Sequence, residues 1–467
     1  MLHDCAIAAR LRQKGFDMLG MFKSKVSLLA AAAILVLPAA SVFGADSGAP
    51  DSQVGVDTLW VTIAAMLVFF MQAGFGMVEA GFIRAKNSSN ILMKNFIDYC
   101  TAIVMFFLVG YAIMFGTGNS FLGWSGFGLS GVADIIPNTH VQKYAFWFFQ
   151  AAFCGAAASI VAGGMAERMK FAAYIIYTVA ISAVVYPIVG HWVWNEGGWL
   201  AQMGFKDFAG STVVHITGGW AAFIGTIILG PRIGKYKNGG LPKAIAGHNI
   251  PIACLGVFIL WFGWFGFNPG STVAVGDGSA FSRVAMNTNL AAAVGALAAM
   301  AVVWIFFGKP DLSMTMNGAL AGLVAVTGPC AYIEPWAAIA IGAVAGVLVV
   351  IGVSLLDRLH VDDPVGAVAV HGFNGIWGTL AIGVFGQKAL GVPLDGLVYG
   401  GGWSQLGVQA LGMLTVAAFS IVCMGAVFLA IKHTMGLRVS RAEEFRGLDI
   451  GQHGMESYAG FQIFANE

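Results

Sequence analysis

"DFAGSTVVHITGG", residues 207–219, and "DPVGAVAVHGFNG", residues 363–375, are the stretches whose reading decides the fold. Each opens with an aspartate and places a histidine eight residues later: His215 after Asp207, His371 after Asp363. Each histidine follows a valine, precedes a glycine four residues on (Gly219, Gly375), and lies fifteen residues before another (Gly230, Gly386). The residues between are nearly all apolar. An ionisable ring inside such a run is costly, and two at matching places read as a working pair.

Working outward, the whole chain is apolar. It has 467 residues, 58% of them hydrophobic and only 10% charged, against about 25% charged in soluble domains. Lipid must therefore solvate most of its surface. A net charge of +1 leaves no basic field for nucleic acid and no acidic tail. The 64 glycines fit helices that approach closely. Six cysteines stand singly, with no C-x-x-C and no His/Cys cluster, which argues against a disulfide scaffold or a structural zinc.

Residues 21–50, "MFKSKVSLLAAAAILVLPAASVFGADSGAP", carry two lysines, an apolar stretch and small residues near Gly44. That order reads as a secretory signal peptide, so residues 1–44 are taken as a signal with an upstream extension. Beyond it, apolar segments of about 20 residues predict eleven spans: 57–82, 91–116, 144–166, 171–192, 211–230, 250–268, 284–307, 316–330, 335–356, 364–386 and 404–434. They define a membrane domain over 45–436 and a tail over 437–467. Fourteen lysines and arginines fall in the odd-numbered loops and the tail, against four in the even loops. This places the mature N-terminus outside and the C-terminus in the cytoplasm. The two histidine stretches open the fifth and tenth spans. Five spans per copy is odd, so the second copy enters the membrane upside down. The expected fold is an all-α membrane protein of eleven helices with an inverted five-plus-five repeat and a site at the repeat interface.

Few other groups ionise within the spans. Lys94 and Asp98 stand i,i+4 on the second span and are expected to pair. Glu79 is expected to snorkel or to pair with Arg84, five residues on. Asp207 and Asp363 suit helix starts, where an acid caps free N–H groups. At 1.5 Å per residue each histidine lies about 12 Å beyond its aspartate, near the middle of the bilayer. Aromatic residues gather at helix ends in "WFFQAAFCG" (147–155), "HWVWNEGGW" (191–199) and "WFGWFGFNPGS" (261–271). An interfacial belt accounts for Trp192 and Trp199. Phe153, Trp194 and Ser271 form a different set, because aromatic faces attract small cations. Two histidines on separate helices raise the possibility of a haem, but a di-haem core would carry two per helix, so no cofactor and no enzymatic role are expected.

The ordered set "GFIRAKN", "FQAAF", "MAER", "DFAGSTVVHITGG", "WFGWFGFNPGS", "VDDPVGAVAVHG" and "GLRVSRAEEFRGLDIGQHGMESY" resembles the ammonium transporter (Amt/Mep/Rh) family, in its bacterial Amt branch, over about residues 55–460. The resemblance implies twin pore histidines at His215 and His371, and stacked pore-closing phenylalanines at Phe153 and Phe267. It implies an outer ammonium site at Trp194, Ser271 and Phe153 with Asp207 beside it, and a pore-lining Trp264. It also implies a homotrimer with one pore per subunit in the bacterial inner (plasma) membrane. Its substrate would be ammonium or ammonia, and possible partners are methylammonium as a second substrate and a PII-type regulator at the cytoplasmic face. The alternative from a different class is an ammonium sensor that signals through a cytoplasmic partner.

Overall fold

The computed structural model describes residues 52–236 and 242–458. The expected signal peptide lies outside the described residues. Eleven helices form the body: α1 Ser52–Phe82, α2 Ala85–Phe115, α3 Lys143–Met165, α4 Phe171–Gln202, α5 Ser211–Leu229, α6 Ile250–Thr272, α7 Ser279–Phe307, α8 Leu312–Thr327, α9 Pro335–Arg358, α10 Val368–Phe385 and α11 Ser404–Thr434. A short helix α12, Arg441–Arg446, begins the tail with a capping box between Ser440 and Glu443. Among the described residues the only β-type pairings are isolated bridges.

Ten of the eleven are long and apolar enough to cross a membrane, and the chain is a multi-pass membrane protein. The exception is α8, with 16 residues. Its side chains from Met316 to Thr327 are all buried, so its neighbours rather than lipid surround it. Helix α3 is similarly enclosed, with every residue from Phe149 to Met165 buried. The outer helices expose large apolar groups instead, such as Phe69, Phe258, Phe306 and Leu414. The apolar face is on the outside because the solvent there is lipid.

Small residues set the spacing. Helices α1 and α6, first of each repeat, pack glycine to backbone in both directions. A Cβ on Gly81 would meet Asn249 O at 2.5 Å, and one on Gly256 would meet Val78 N at 2.5 Å. At the crossing of α5 and α10 a Cβ on Gly219 would meet Gly372 N at 2.4 Å. Main chain touches main chain there, and only glycine permits it.

The starts of α5 and α10 match in detail. Gly210 (φ 116°) and Gly366 (φ 82°) both take left-handed backbone, three residues after Asp207 and Asp363. A wide π-type turn follows each, Ser211–Ile216 and Val368–Phe373. The count of 12 Å from aspartate to histidine needs correction here. The chain from 207 to 210 is not helical, so each histidine sits in the first turns of its helix. The glycine turn folds each aspartate back onto the helix start.

Candidate functional site

Six rings run through the core in one column. Trp194 meets Phe153 edge-on, with centroids 6.1 Å apart. Phe153 stacks on Phe267 at 3.9 Å with planes 17° apart. Phe267 stacks on His215 at 5.7 Å, His215 lies 5.1 Å from His371, and His371 lies 6.4 Å from Phe75. Exposure is lowest in the middle of the column: Trp194 is half-buried, Phe153, Phe267 and His215 are at or below 1% exposed, and His371 and Phe75 are at 6% and 5%.

The imidazoles face each other through like nitrogens, His371 Nδ1 to His215 Nδ1 at 3.1 Å. One Nδ1 must then carry the hydrogen and the other accept it. The ring that donates through Nδ1 leaves Nε2 as an acceptor; the other ring has N–H at Nε2. The pair thus offers one acceptor and one donor along the column. His215 Nε2 is buried with no hydrogen-bond partner. A buried nitrogen without a partner costs about 1–3 kcal/mol, a cost that a passing polar molecule would relieve.

The surrounding groups hold the rings. Trp264 lies flat against His215, centroids 5.4 Å apart, and donates Nε1–H to Thr327 Oγ1 at 2.8 Å. Ser271 Oγ donates to Phe267 O at 2.8 Å. Trp194 Nε1–H donates to Asp207 O at 2.7 Å. The Asp207 carboxylate accepts from Gly210, Thr212 and Val213 N–H at 3.1, 2.8 and 2.9 Å. Asp363 does the same with Ala367, Val368 and Ala369 at 3.0, 2.8 and 3.5 Å. Asp207 lies outside the span, and burial pushes its carboxyl up to about 6 against the pull of those N–H groups.

The sequence-derived residues Phe153, Trp194, Asp207, His215, Trp264, Phe267, Ser271 and His371 therefore come together in one place. The expected pairs elsewhere do not form. Lys94 donates to Met169 O at 2.9 Å and lies over the Tyr174 ring, while Asp98 takes hydroxyl donors from Tyr174 and Ser159. Arg84 pairs with Glu167 at 2.5 Å rather than with Glu79. Trp192, expected in the interfacial belt, is 7% exposed and donates to Phe121 O. Thr327, Gly210 and Gly366 did not stand out in the sequence. The two glycines were findable, since Asp-x-x-Gly recurs in both stretches.

Coverage of the family model for "Ammonium Transporter Family" runs over residues 59–458. The chain belongs to the ammonium transporter family. As a family member it is 44% identical to ammonium transporter Amt2 of Archaeoglobus fulgidus, covering 93% of this chain and 96% of that one. Among solved structures, this family member matches a sensor Amt protein with TM-score 0.82 and 39% identity, over 87% of this chain and all of that one. It matches Mep2 of Candida albicans with TM-score 0.76 and 30% identity, over 83% of this chain and 87% of that one.

At the far end of the bundle, where the tail lies, this ammonium-transporter-family chain buries ions instead of rings. Glu167 accepts from Arg84 and Arg232, and Arg232 also pairs with Asp362 at 2.8 Å. Burial pushes both carboxyls up, but the guanidinium groups outweigh it and hold them below the usual range. The tail closes over this cluster. Asp449 accepts from Ser89 and Asn90 N–H at 3.0 and 2.7 Å, and Arg438 donates to Leu229 O and Pro231 O.

Proposed function

We propose that this chain carries ammonium across the membrane. Ammonium is gathered at Trp194, Phe153 and Ser271, loses its proton near Asp207, and passes Phe153 and Phe267 as NH3. It then moves along His215 and His371 and is reprotonated on the tail side, with or without the proton following separately. The observation that carries this reading is the imidazole pair inside a buried aromatic column, one nitrogen of which has no partner.

Magnitudes favour the neutral form in the column. A bare ion in an apolar passage costs tens of kcal/mol by a Born estimate. Removing the proton near pH 7 costs about 3 kcal/mol, for about two pK units. Ammonia then needs one donor and one acceptor, which the paired Nε2 atoms supply. The hydrogen shared between the two Nδ1 atoms also suits the pair to a proton relay. The Asp207 oxygens are committed to three backbone N–H groups, so the acid steadies the cation through its field and through its hold on Trp194 rather than by contact.

Four further assignments belong to the same proposal: a cleaved signal at 1–44, the transporter domain at 45–436, a cytoplasmic tail at 437–467, and residence in a bacterial inner membrane with the N-terminus outside. Assembly as a homotrimer and docking of a PII-type regulator at the tail face are proposed from the family resemblance. A signalling role beside transport has one point in its favour, the likeness to the sensor Amt protein.

The test is electrical recording and uptake on liposomes given ammonium pulses. Wild type is expected to move ammonium, and the His215→Ala, His371→Ala double variant is expected to lose nearly all of it. Unchanged flux in the double variant would overturn the role given to the pair.

A further inference from the structure

Helix α1 buries a carboxylate that the transport reading does not use. Glu79 is 3% exposed, within the span, with no ion pair among the described residues. Its Oε2 accepts from Asn95 Nδ2, a neutral amide, at 2.8 Å. The charged neighbours are spoken for elsewhere. Lys94 Nζ is bound to Met169 O, Asp98 to hydroxyls, Arg84 to Glu167, and Asp363 to the backbone of α10. An acid with so little compensation at membrane depth is retained for use or not at all.

Glu79 faces space. It lines a cavity of about 30 Å³ together with Phe75, Trp264, Asn317, Gly366 and His371. That volume holds about two water-sized molecules, at roughly 10–15 Å³ each. Asn317 is 6% exposed, and its Oδ1 has no partner although its Nδ2 donates to Val365 O at 3.4 Å. Glu79 Oε1 packs close to the main chain of α3, where a Cβ on Gly163 would lie 3.3 Å from it, so only glycine leaves room for the carboxylate there. The cavity begins at His371, on the tail side of the imidazole pair. It presents a carboxylate oxygen, an amide oxygen and aromatic walls. Two oxygen acceptors and a π face suit a small monovalent cation with N–H donors. They do not suit an anion.

We propose that this cavity is a second ammonium site, in which Glu79 and Asn317 hold the re-formed NH4+ after it passes His371 and before release at the tail face. The proposal rests on ammonium being the ion carried. It gives the two ends of the column different recognition chemistry, aromatic faces at entry and a carboxylate at exit. It also explains why a carboxylate is tolerated here but not at the histidine positions: a cation trapped beside the imidazoles would block the column, whereas one held below them is already on its way out.

The test uses thallium(I), an ammonium-sized ion with a strong anomalous signal, soaked into crystals of the full-length protein, alongside ammonium uptake into liposomes. Wild type is expected to show an anomalous peak in the cavity. Glu79→Gln, which keeps an acceptor for Asn95, is expected to lose the peak and to raise the KM for ammonium presented from the tail face about tenfold. Asn317→Leu, which leaves Glu79 in place, should weaken the peak and serves if Glu79→Gln fails to fold. No peak in wild type, or a peak that survives both substitutions, overturns the site. Wild-type liposomes that carry ammonium while the cavity stays empty sink this inference alone; liposomes that carry none sink the transport reading itself.

Discussion

The starts of α5 and α10 share a backbone and differ in what surrounds it. Both fold an aspartate over a left-handed glycine onto the helix N-terminus and set a histidine in the first turns. Asp207 holds Trp194, from which the ring column runs on through Phe153 to Phe267. Beside Asp363 stands Asp362, locked to Arg232 and through it to Glu167. The repeat thus supplies a scaffold twice and leaves each copy to be furnished by its own neighbours. One end is lined with rings and the other is braced by ions.

The largest effect should come from breaking the braced end. Arg232→Ala strips the buried Asp362 of its side-chain partner and leaves Glu167 with Arg84 as its one guanidinium, and removing one partner of a buried pair costs about 3–5 kcal/mol. Thermal unfolding in detergent should show a large loss of stability, while Trp194→Ala at the other end should unfold like wild type. Equal stability in both variants would erase the contrast. Next, His371→Ala alone should lower ammonium flux about 100-fold, within the range for a positioned proton-transfer group, without lowering the unfolding temperature comparably.

Third, burial pushes both aspartates up to about 6, but they should differ in what their protonation does to recruitment, because Asp207 holds Trp194 at the vestibule. The Asp207 carboxyl sits at about 6, so the carboxylate is present above that pH and is lost as pH falls through it. Because the cation at the vestibule needs the negative form, the KM for ammonium from that face should rise as pH drops from 7 to 5. In Asp207→Asn the KM should be high, by about tenfold at pH 7, and flat with pH. Asp363→Asn should leave that profile unchanged, and a flattened profile there would equate the two ends. The smallest effect belongs to Ser271→Ala. It removes one neutral hydrogen-bonding group, worth about 1 kcal/mol, and should raise KM about fivefold in an uptake titration.

Much of this was legible in the residues, because membrane segments obey few rules. The spans followed from apolar length, and the histidine pair from a repeated spacing that the structure turns into a 3.1 Å contact. What failed were local pairings. Lys94 and Asp98 have the right i,i+4 spacing, yet a carbonyl at Met169 and hydroxyls on Tyr174 and Ser159 offered each a better partner across the bundle. Arg84 found Glu167 for the same reason. Sequence spacing says which groups can meet along one helix, not which competitor another helix brings. The cavity at Glu79 was illegible for a related reason: its walls come from α1, α3, α6, α8 and the start of α10.

The crossing of Gly219 and Gly372 has a mechanical consequence. With two main chains in contact and no side chain between them, neither half has a bearing surface on which to rock against the other. If the column conducts as proposed, its opening would then fall to individual rings such as Phe153 and Phe267 rather than to a shift of this crossing. On that reading the column works as a turnstile with a fixed post, and ring rotation rather than the swing of a domain would set its turnover.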